Sequence, residues 1–257
     1  MLQDKKIYFL DCDGTLALGD KPLPGAWEFL QTLKNKNKIF YILTNNSSKT
    51  PRQHLAKFNN LELGLKEENI LVSSGAALEY FKQHNIKEIF WLANSEVSEF
   101  ISSNNFIFTK INPQAGLLTY DNTLDYQKLN DFISLIRQGV PYYATHHDIV
   151  CPDPKGYLPD IGTFIKLIEM TTGLLPLKTF GKPSKDFIKP ILNKHKLLFD
   201  DAVIVGDRLY TDMKLAEDSA MTSVLTLTGE TKRKDYEQNK IKCDLVVNDL
   251  TELLSYL

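Results

Sequence analysis

The chain has 257 residues, of which 43% are hydrophobic and 24% are charged, and its formal net charge is −2. This length suffices for one large domain, or for a core with a smaller second domain. The near-neutral charge gives no reason to expect binding to nucleic acid or to a membrane surface.

The three cysteines, Cys12, Cys151 and Cys243, are odd in number and have no C-x-x-C spacing. A disulfide framework and a structural zinc site are therefore not expected. The first residues lead straight into an apolar run without a signal peptide, and no apolar run reaches transmembrane length. We therefore expect a cytoplasmic protein that does not bind membranes.

Strand and helix patterns alternate along the first third of the chain. Trp27, Leu30 and Leu33 recur at helical spacing, and Thr50 followed by Pro51 is typical of a helix start. In chain order the predicted elements are a strand at 7–11, a helix at 26–35, a strand at 38–43, a helix from 51, a strand at 70–72 and a helix at 75–82. This alternation predicts a parallel sheet.

The middle of the chain differs in pattern, and the alternation returns near the end. Strands are predicted at 88–92, 106–108, 115–118 and 141–144, with helices at 97–102 and 126–137. Residues 145–162 are predicted to form a long functional loop. After it we predict helices at 162–171, 184–196, 211–220 and from 250, and strands at 202–205, 224–227 and 245–247. The simplest organisation is one α/β core made from both ends of the chain, with a second α/β module inserted.

Polar side chains occupy four loops between the predicted elements. The loops contribute, in chain order, Asp11 and Asp13, then Thr44, Asn45 and Asn46, then Lys182, and finally Asp207 and Asp212. Ligands of an open parallel sheet bind just outside the carboxyl ends of its strands. The fold could therefore bring these side chains to one crevice.

The residue types in these loops suit a phosphoryl site. Asp11 and Asp207 offer the oxygen ligands that Mg²⁺ prefers. Thr44 and Asn45 offer neutral hydrogen bonds to an anion, and Lys182 offers a point charge. A lone Asp-x-Asp-Gly is more typical of a capped turn, but the other three loops argue against that interpretation. The sequence thus predicts catalysis by positioning and charge neutralisation.

The chain resembles the haloacid dehalogenase (HAD) superfamily of aspartyl-phosphate enzymes. The motifs that carry the resemblance are D-C-D-G-T-L from Asp11, T-N-N-S from Thr44, G-K-P from Gly181 and G-D-R-L-Y-T-D from Gly206. It is most similar to the NagD-like branch (subfamily IIA), which includes p-nitrophenylphosphatases, nucleotide phosphatases and pyridoxal-phosphate phosphatases. The resemblance covers nearly the whole chain.

The resemblance implies an α/β fold with a Rossmann-like, doubly wound parallel sheet. The catalytic core would comprise residues 1–79 and 181–257, and an α/β cap domain would be inserted at 80–180. It also implies a Mg²⁺-dependent phosphatase that hydrolyses small phosphorylated metabolites, with possible homodimer contacts through the cap.

The resemblance further implies a role for each motif residue. Asp11 would be the nucleophile, and Asp13 would first protonate the leaving oxygen and then activate water. Mg²⁺ would bind the carboxylates of Asp11 and Asp207 and the carbonyl of Asp13. The other implied roles are phosphate binding by Thr44, Asn45 and Lys182, and support of Lys182 or of metal-bound water by Asp212.

The same chemistry sets electrostatic requirements. Mg²⁺ and Lys182 would offset the repulsion between an ionised Asp11 and a phosphate dianion. Asp13 must begin protonated, and we expect the nearby second carboxylate to raise the pKa of Asp13.

In the resembled branch, the loop after the Ala-Thr at 144–145 reaches from the cap toward the substrate. The candidates for substrate specificity are therefore His146, His147, Asp148 and Asp160. The branch more often has Asn-Pro-Asp in place of His-His-Asp, and Gly in place of Asp160. A zinc site in this loop is disfavoured by its spacing, and a plain loop role for the histidines stays open. For Arg208 we favour pairing with an acid over contact with phosphate.

Other functions remain as alternatives. A phosphomutase would pass the phosphoryl group to a sugar hydroxyl instead of water. A non-enzymatic phospho-accepting module would be much shorter and would lack both the cap and an acid two residues after the acceptor. A dehalogenase needs neither Mg²⁺ nor a second acid, so Asp13 argues against it. Nucleoside monophosphate, sugar phosphate, phosphoglycolate and pyridoxal phosphate all stay open as substrates.

Overall fold

The computed structural model describes residues 2–19, 21–58, 63–153 and 156–257. In these ranges the strands are β1 (Ile7–Asp11), β2 (Ala17–Leu18), β3 (Lys21–Pro22), β4 (Ile39–Thr44), β5 (Ile70–Val72), β6 (Glu88–Leu92), β7 (Ile107–Phe108), β8 (Ala115–Leu118), β9 (Tyr142–Ala144), β10 (Val150–Asp153), β11 (Gly156–Pro159), β12 (Ala202–Gly206), β13 (Thr222–Thr226) and β14 (Leu245–Val247). The α-helices are α1 (Ala26–Asn35), α2 (Pro51–Ala56), α3 (Ser73–Gln83), α4 (Ser95–Ser103), α5 (Tyr126–Arg137), α6 (Ile161–Thr172), α7 (Lys189–His195), α8 (Lys214–Ser219), α9 (Arg233–Gln238) and α10 (Leu250–Leu253).

Six parallel strands form the central sheet, in the order β14-β13-β12-β1-β4-β5. The chain runs outward from β1 through β4 and β5, then returns beside β1 at β12 and runs outward in the other direction. This is the predicted doubly wound arrangement, which is thereby confirmed. Its switch point lies between β1 and β12, where such sheets bind ligands.

Packing on both faces explains why the central strands are continuously apolar. In β1, Tyr8 and Leu10 lie in one hydrophobic cluster with residues of α1 and α10, while Ile7 and Phe9 lie in another with residues of α7 and α8. Successive side chains of a strand point to opposite faces, so both faces need apolar residues. Burying each such side chain contributes about 1.5–3 kcal/mol, which makes these strand ends a rigid platform.

A second sheet of four parallel strands has the order β7-β6-β8-β9. One face packs against α5 and α6, and the other packs against α3 and α4. Helix α3 runs through the predicted domain boundary between residues 79 and 80, and its Ala77, Leu78 and Phe81 belong to the cluster of this second sheet. The division into a core at 1–79 and 181–257 and a cap at 80–180 stays a prediction.

The segment predicted as an irregular loop at 145–162 contains a hairpin, so that prediction was wrong in part. Strands β10 and β11 pair antiparallel, with Val150 opposite Pro159 and Cys151 opposite Leu158. Prolines and the lack of apolar alternation conceal this hairpin in the sequence. Proline is tolerated here because a two-stranded ribbon consists of edge strands.

Two predicted helices begin differently in the structure. The helix predicted at 184–196 is a 3₁₀ turn at Lys185–Phe187 followed by α7, and the helix predicted at 211–220 begins with a π-helical turn at Leu209–Met213. Helix α9 was not predicted. None of the helices in the described residues has the length and apolarity needed to cross a lipid bilayer.

Candidate active site

The loops after β1, β4 and β12 meet the 181–183 segment and the 145–162 segment at a small cavity. The residues lining it are Asp11, Asp13, Thr44, Asn45, Asn46, Asp148, Cys151, Pro152, Asp160, Lys182 and Arg208. The space open to the centre of a water molecule there is about 20 Å³, which is room for roughly one water. The structure therefore shows the predicted crevice, in a closed form.

Lys182 joins two carboxylates at the floor of this cavity. Its ammonium donates to Oδ1 of Asp11 and lies 2.6 Å from Oδ1 of Asp212. Burial alone would lower the pKa of Lys182, but Asp11 and Asp212 outweigh burial and raise it above the ordinary value. Lys182 is thus a permanent cation beside Asp11.

Asp11, Asp207 and Asp212 form a cluster of buried acids. One carboxylate oxygen of each residue lies within 4.8 Å of those of the other two. Burial raises the pKa of Asp11 to about 6, against the opposing effect of Lys182. Burial and then the charge of Asp11 raise the pKa of Asp207 to about 7. Three carboxylates this close and this buried repel one another unless a cation neutralises them.

The acid cluster fits a hard divalent cation. Oδ2 of Asp11 is buried and has no hydrogen-bond partner among the described residues. Carboxylate oxygens at this spacing are the ligands that Mg²⁺ prefers, and bound Mg²⁺ would compensate the cost of burying the charges. The structure therefore fits the predicted metal, with Asp11 and Asp207 available to hold it.

Glycines allow the loops to close around Asp207. Oδ2 of Asp207 accepts a hydrogen bond of 2.7 Å from the backbone N–H of Glu230. Gly14 has a φ of +99°, and a Cβ added there would lie 2.5 Å from that same oxygen. Only glycine combines this backbone conformation with this close approach.

Thr44 and Asn45 differ in how freely they could bind phosphate. Oγ1 of Thr44 accepts from the backbone N–H of Asn46 at 3.0 Å, which leaves its hydroxyl proton free to donate. Nδ2 of Asn45 donates to Oδ1 of Asp148 at 3.1 Å and to the carbonyl of Lys182 at 3.2 Å. In this form Asn45 joins three loops instead of presenting its amide to the cavity.

Arg208 connects the central sheet to the 145–162 segment. Its Nη1 lies 2.6 Å from Oδ2 of Asp148, and its Nε lies 3.0 Å from Oε2 of Glu230. Arg208 and Asp148 are both buried. Arg208 therefore pairs with acids, as the sequence analysis favours.

The two histidines lie in different places. His146 is fully buried, and its Nε2 lies 3.0 Å from Oδ1 of Asp160. His147 lines a separate outer groove together with Lys178 and Pro183. Asp148 and Asp160 line the cavity and His146 lies directly behind Asp160, whereas the structure does not bring His147 to the cavity.

Both the sequence and the fold of this chain are similar to those of known proteins. The family model described as haloacid dehalogenase-like hydrolase matches residues 8–107, and a model described as HAD-hydrolase-like matches residues 179–253. The crystal structure of 4-nitrophenylphosphatase from Thermotoga maritima is 36% identical, covers 99% of this chain and 98% of its own, and superposes with a TM-score of 0.93. The chain is a member of the haloacid dehalogenase-like hydrolases.

Further relatives of this HAD hydrolase match over almost their full length. The 5'-nucleotidase YutF of Bacillus subtilis is 27% identical over 98% of both chains. The dihydroxyacetone phosphatase of Corynebacterium glutamicum is 29% identical over 96% of this chain and 90% of its own. Within the family the chain belongs to the NagD-like, p-nitrophenylphosphatase-type branch, which confirms the resemblance stated from the motifs.

The pKa of Asp13 differs from what the HAD resemblance led us to expect. Oδ1 of Asp13 lies 2.9 Å from Nζ of Lys57, which is itself almost inaccessible. Burial acts to raise the pKa of Asp13, but Lys57 and then His54 outweigh it and leave the pKa below its ordinary value. The expectation of a raised pKa was wrong because Lys57, 44 residues away in the chain, carries no motif that connects it to Asp13.

The loop acids and His146 form a tight group, although the spacing in the sequence disfavours a zinc site there. One ligand atom each of His146, Asp148 and Asp160 lies within 4.8 Å of the others. Asp148 is already bound by Arg208 and Asn45, and Oδ1 of Asp160 accepts from His146 and from the N–H of Ile161. Each of these acids therefore already has partners within the protein.

Removing Arg208 is expected to destabilise this HAD hydrolase. Arg208→Met leaves Asp148 as a buried charge without its cation, and breaking a buried pair in this way costs roughly 3 kcal/mol or more. The double variant Arg208→Met/Asp148→Leu is expected to recover most of the loss. Urea unfolding measures both, with Arg233→Met on exposed α9 as the control. If the Arg208 variant were no less stable than the Arg233 variant, the pair would contribute nothing.

Proposed function

We propose that this protein, a phosphoric monoester hydrolase of the HAD family, hydrolyses small phosphate monoesters through an aspartyl-phosphate on Asp11 and requires Mg²⁺. The observation that carries the proposal is the buried cluster of Asp11, Asp207 and Asp212 beside the ammonium of Lys182. This arrangement supports the proposal because it would supply a nucleophile, oxygen ligands for a metal and a fixed cation at the switch point of the sheet. Each of these matches one need of phosphoryl transfer.

The first step joins the Asp11 carboxylate to phosphorus and breaks the ester P–O bond. Lys182 keeps Asp11 oriented and offsets part of the charge of the incoming phosphate, and Thr44 donates its hydroxyl proton to a phosphate oxygen. Mg²⁺, which Asp11 and Asp207 would hold, would supply further charge neutralisation. The alcohol leaves with one proton, which Asp13 supplies.

The second step is hydrolysis of the aspartyl-phosphate. Water attacks phosphorus, Asp13 takes a proton from that water, and Asp11 and inorganic phosphate are released. The lowered pKa of Asp13 keeps it ionised, which is the form that accepts this proton, and at the same time makes it a weaker base. The pair with Lys57 opposes the first half, because Asp13 must be protonated before it can give a proton to the leaving oxygen.

The cavity supports small substrates. In this structure the cavity has room for roughly one water, so admitting an ester requires the 145–162 segment to move. Relatives named 5'-nucleotidase and dihydroxyacetone phosphatase act on different esters. We therefore propose nucleotide, sugar or p-nitrophenyl phosphate esters as the substrate range, with no preference among them from the family alone.

Phosphate release from p-nitrophenyl phosphate and from a panel of metabolite phosphates is the direct test. We expect release with Mg²⁺ and loss of release with EDTA, restored by added Mg²⁺. Equal phosphate and alcohol yields distinguish hydrolysis from transfer to a second hydroxyl, which a phosphomutase would catalyse. A folded protein that releases no phosphate from any ester with Mg²⁺ would overturn the proposal in favour of a phospho-accepting role.

We also propose assembly as a homodimer through the 80–180 region, from the family resemblance, and a cytoplasmic location, from the sequence pattern. Ile107 and Phe108 of edge strand β7, together with Ile111, are exposed apolar side chains that support such a contact. Light scattering during gel filtration would give twice the chain mass if the dimer forms.

A further inference from the structure

Part of the cavity lining comes from the 145–162 segment, outside the central sheet. This segment contributes Asp148, Cys151, Pro152 and Asp160 to the lining. Asp11, at the end of β1, belongs to the part of the lining that the central sheet supplies. An ester whose phosphate sits at Asp11 therefore has these four residues available to contact its leaving group.

The basic side chains around the cavity are already paired with acids. Among the described lining residues only Lys182 and Arg208 are basic. Lys182 is held by Asp11 and Asp212, and Arg208 is held by Asp148 and Glu230. A leaving group with its own negative charge would thus meet carboxylates without an unpaired cation.

Two hydrogen bonds orient the carboxylate of Asp160 and leave one of its oxygens available to a ligand. Oδ1 accepts from Nε2–H of His146 at 3.0 Å and from the backbone N–H of Ile161 at 2.7 Å, where Asp160 caps helix α6. Both donors bind Oδ1, and no hydrogen bond from another described residue reaches Oδ2, so Oδ2 is left for a donor from the cavity. His146, which has no exposed surface, therefore acts on the cavity only through Asp160.

We propose that Asp160, oriented by His146, selects phosphate esters whose leaving group is uncharged and carries hydroxyl groups. Esters whose leaving group bears a carboxylate or a second phosphate are rejected. A carboxylate only accepts hydrogen bonds, so it binds a hydroxyl and repels an anion. This inference rests on the proposed phosphatase function and names the substrate class of the same site.

The test compares two esters that differ at one carbon. Glycerol 3-phosphate ends in a hydroxymethyl group, and 3-phosphoglycerate has a carboxylate in its place. We expect the wild-type protein to hydrolyse glycerol 3-phosphate with at least a tenfold higher kcat/KM. In Asp160→Asn the ratio is expected to fall at least tenfold, because the amide removes the charge while Asn remains a good helix cap. Asp160→Ser, also a capping residue, provides a second variant.

Two histidine variants distinguish the orientation of Asp160 by His146 from a general effect on folding. His146→Gln is expected to raise the KM for glycerol 3-phosphate. The ratio of kcat/KM for glycerol 3-phosphate to that for 3-phosphoglycerate should therefore fall. The matched control is His147→Gln, since its ring lies in the outer groove, and we expect it to leave the ratio unchanged. A thermal melt of each variant shows whether it is folded.

The outcomes distinguish the two proposals. If the wild-type protein hydrolyses no ester, including p-nitrophenyl phosphate, the proposed function fails. Two results would leave the proposed function standing and overturn the role of Asp160. One is hydrolysis of p-nitrophenyl phosphate without hydrolysis of glycerol 3-phosphate, and the other is an equal kcat/KM for glycerol 3-phosphate and 3-phosphoglycerate. An unchanged ratio in folded Asp160→Asn and Asp160→Ser overturns it as well.

Discussion

Asp11→Asn is expected to abolish phosphate release while leaving the protein folded. An amide cannot form the aspartyl-phosphate, so catalysis loses its covalent step, with a loss on the order of 10⁵-fold or more. Asn has nearly the same shape as Asp, and Lys182 keeps its ion pair with Asp212. Initial rates with p-nitrophenyl phosphate and Mg²⁺, measured beside circular dichroism, check both halves of the expectation.

Two matched Asp→Asn variants act as controls for this result. Asp13→Asn keeps the nucleophile and removes the proton carrier, so a smaller loss of roughly 10²–10⁴-fold is expected. Asp200→Asn changes a side chain that is 92% exposed, far from the cavity, and is expected to keep the wild-type rate. An Asp11→Asn variant that retained more activity than Asp13→Asn would rule out Asp11 as the nucleophile.

Asp207 is expected to make the metal-free protein less stable as pH rises. The pKa of Asp207 is about 7 in the folded protein against an ordinary value of 3.8, so between these values the folded state holds a proton that the unfolded state has lost. Stability from this group is complete below about pH 4 and is lost as pH rises through 7. A shift of this size corresponds to roughly 4 kcal/mol.

The comparison of wild type with Asp207→Asn isolates this contribution. In EDTA the variant is expected to melt at a higher temperature than wild type above pH 7, by on the order of 5–10 °C, with the difference shrinking toward pH 4. Differential scanning calorimetry from pH 4 to 8 measures it. A constant difference across that range would show that Asp207 titrates normally.

Added Mg²⁺ should reverse the order of the two proteins. Wild type at pH 8 is expected to gain about 3 kcal/mol when Mg²⁺ exceeds its dissociation constant a hundredfold, because the ion neutralises Asp11 and Asp207. Asp207→Asn should gain little and should lose activity. Equal stabilisation of both proteins would place the ion somewhere other than this cluster.

Much of the central sheet could be predicted because its determinants are local in the sequence. The strand containing Asp11 is a continuous apolar run, and a parallel strand buried on both faces requires such a run. Helix α1 matches its predicted bounds, and Thr50 does cap α2. The hairpin of β10 and β11 was missed because its pairing depends on what packs around it, which short strands with prolines do not reveal.

The site could be predicted only as far as it follows from strand ends. Asp11, Asp207 and Lys182 lie in motifs that a parallel sheet brings to one edge, and the structure brings them together there. Lys57 beside Asp13 was missed, because contact between positions far apart in the chain depends on the angle at which α2 leaves the sheet. Residues 59–62, 154–155, 1 and 20 lie outside the described structure.

By itself the sequence determined the class of fold, the family and the edge of the sheet where the acids lie, because apolar runs and turn residues act over a few neighbouring positions. Only the tertiary structure decided which charges meet. It pairs Arg208 with Asp148, places His146 behind Asp160, and leaves His147 in another groove. A charge is neutralised by whatever lies within a few ångströms in space, and that distance is set by packing, not by spacing along the chain.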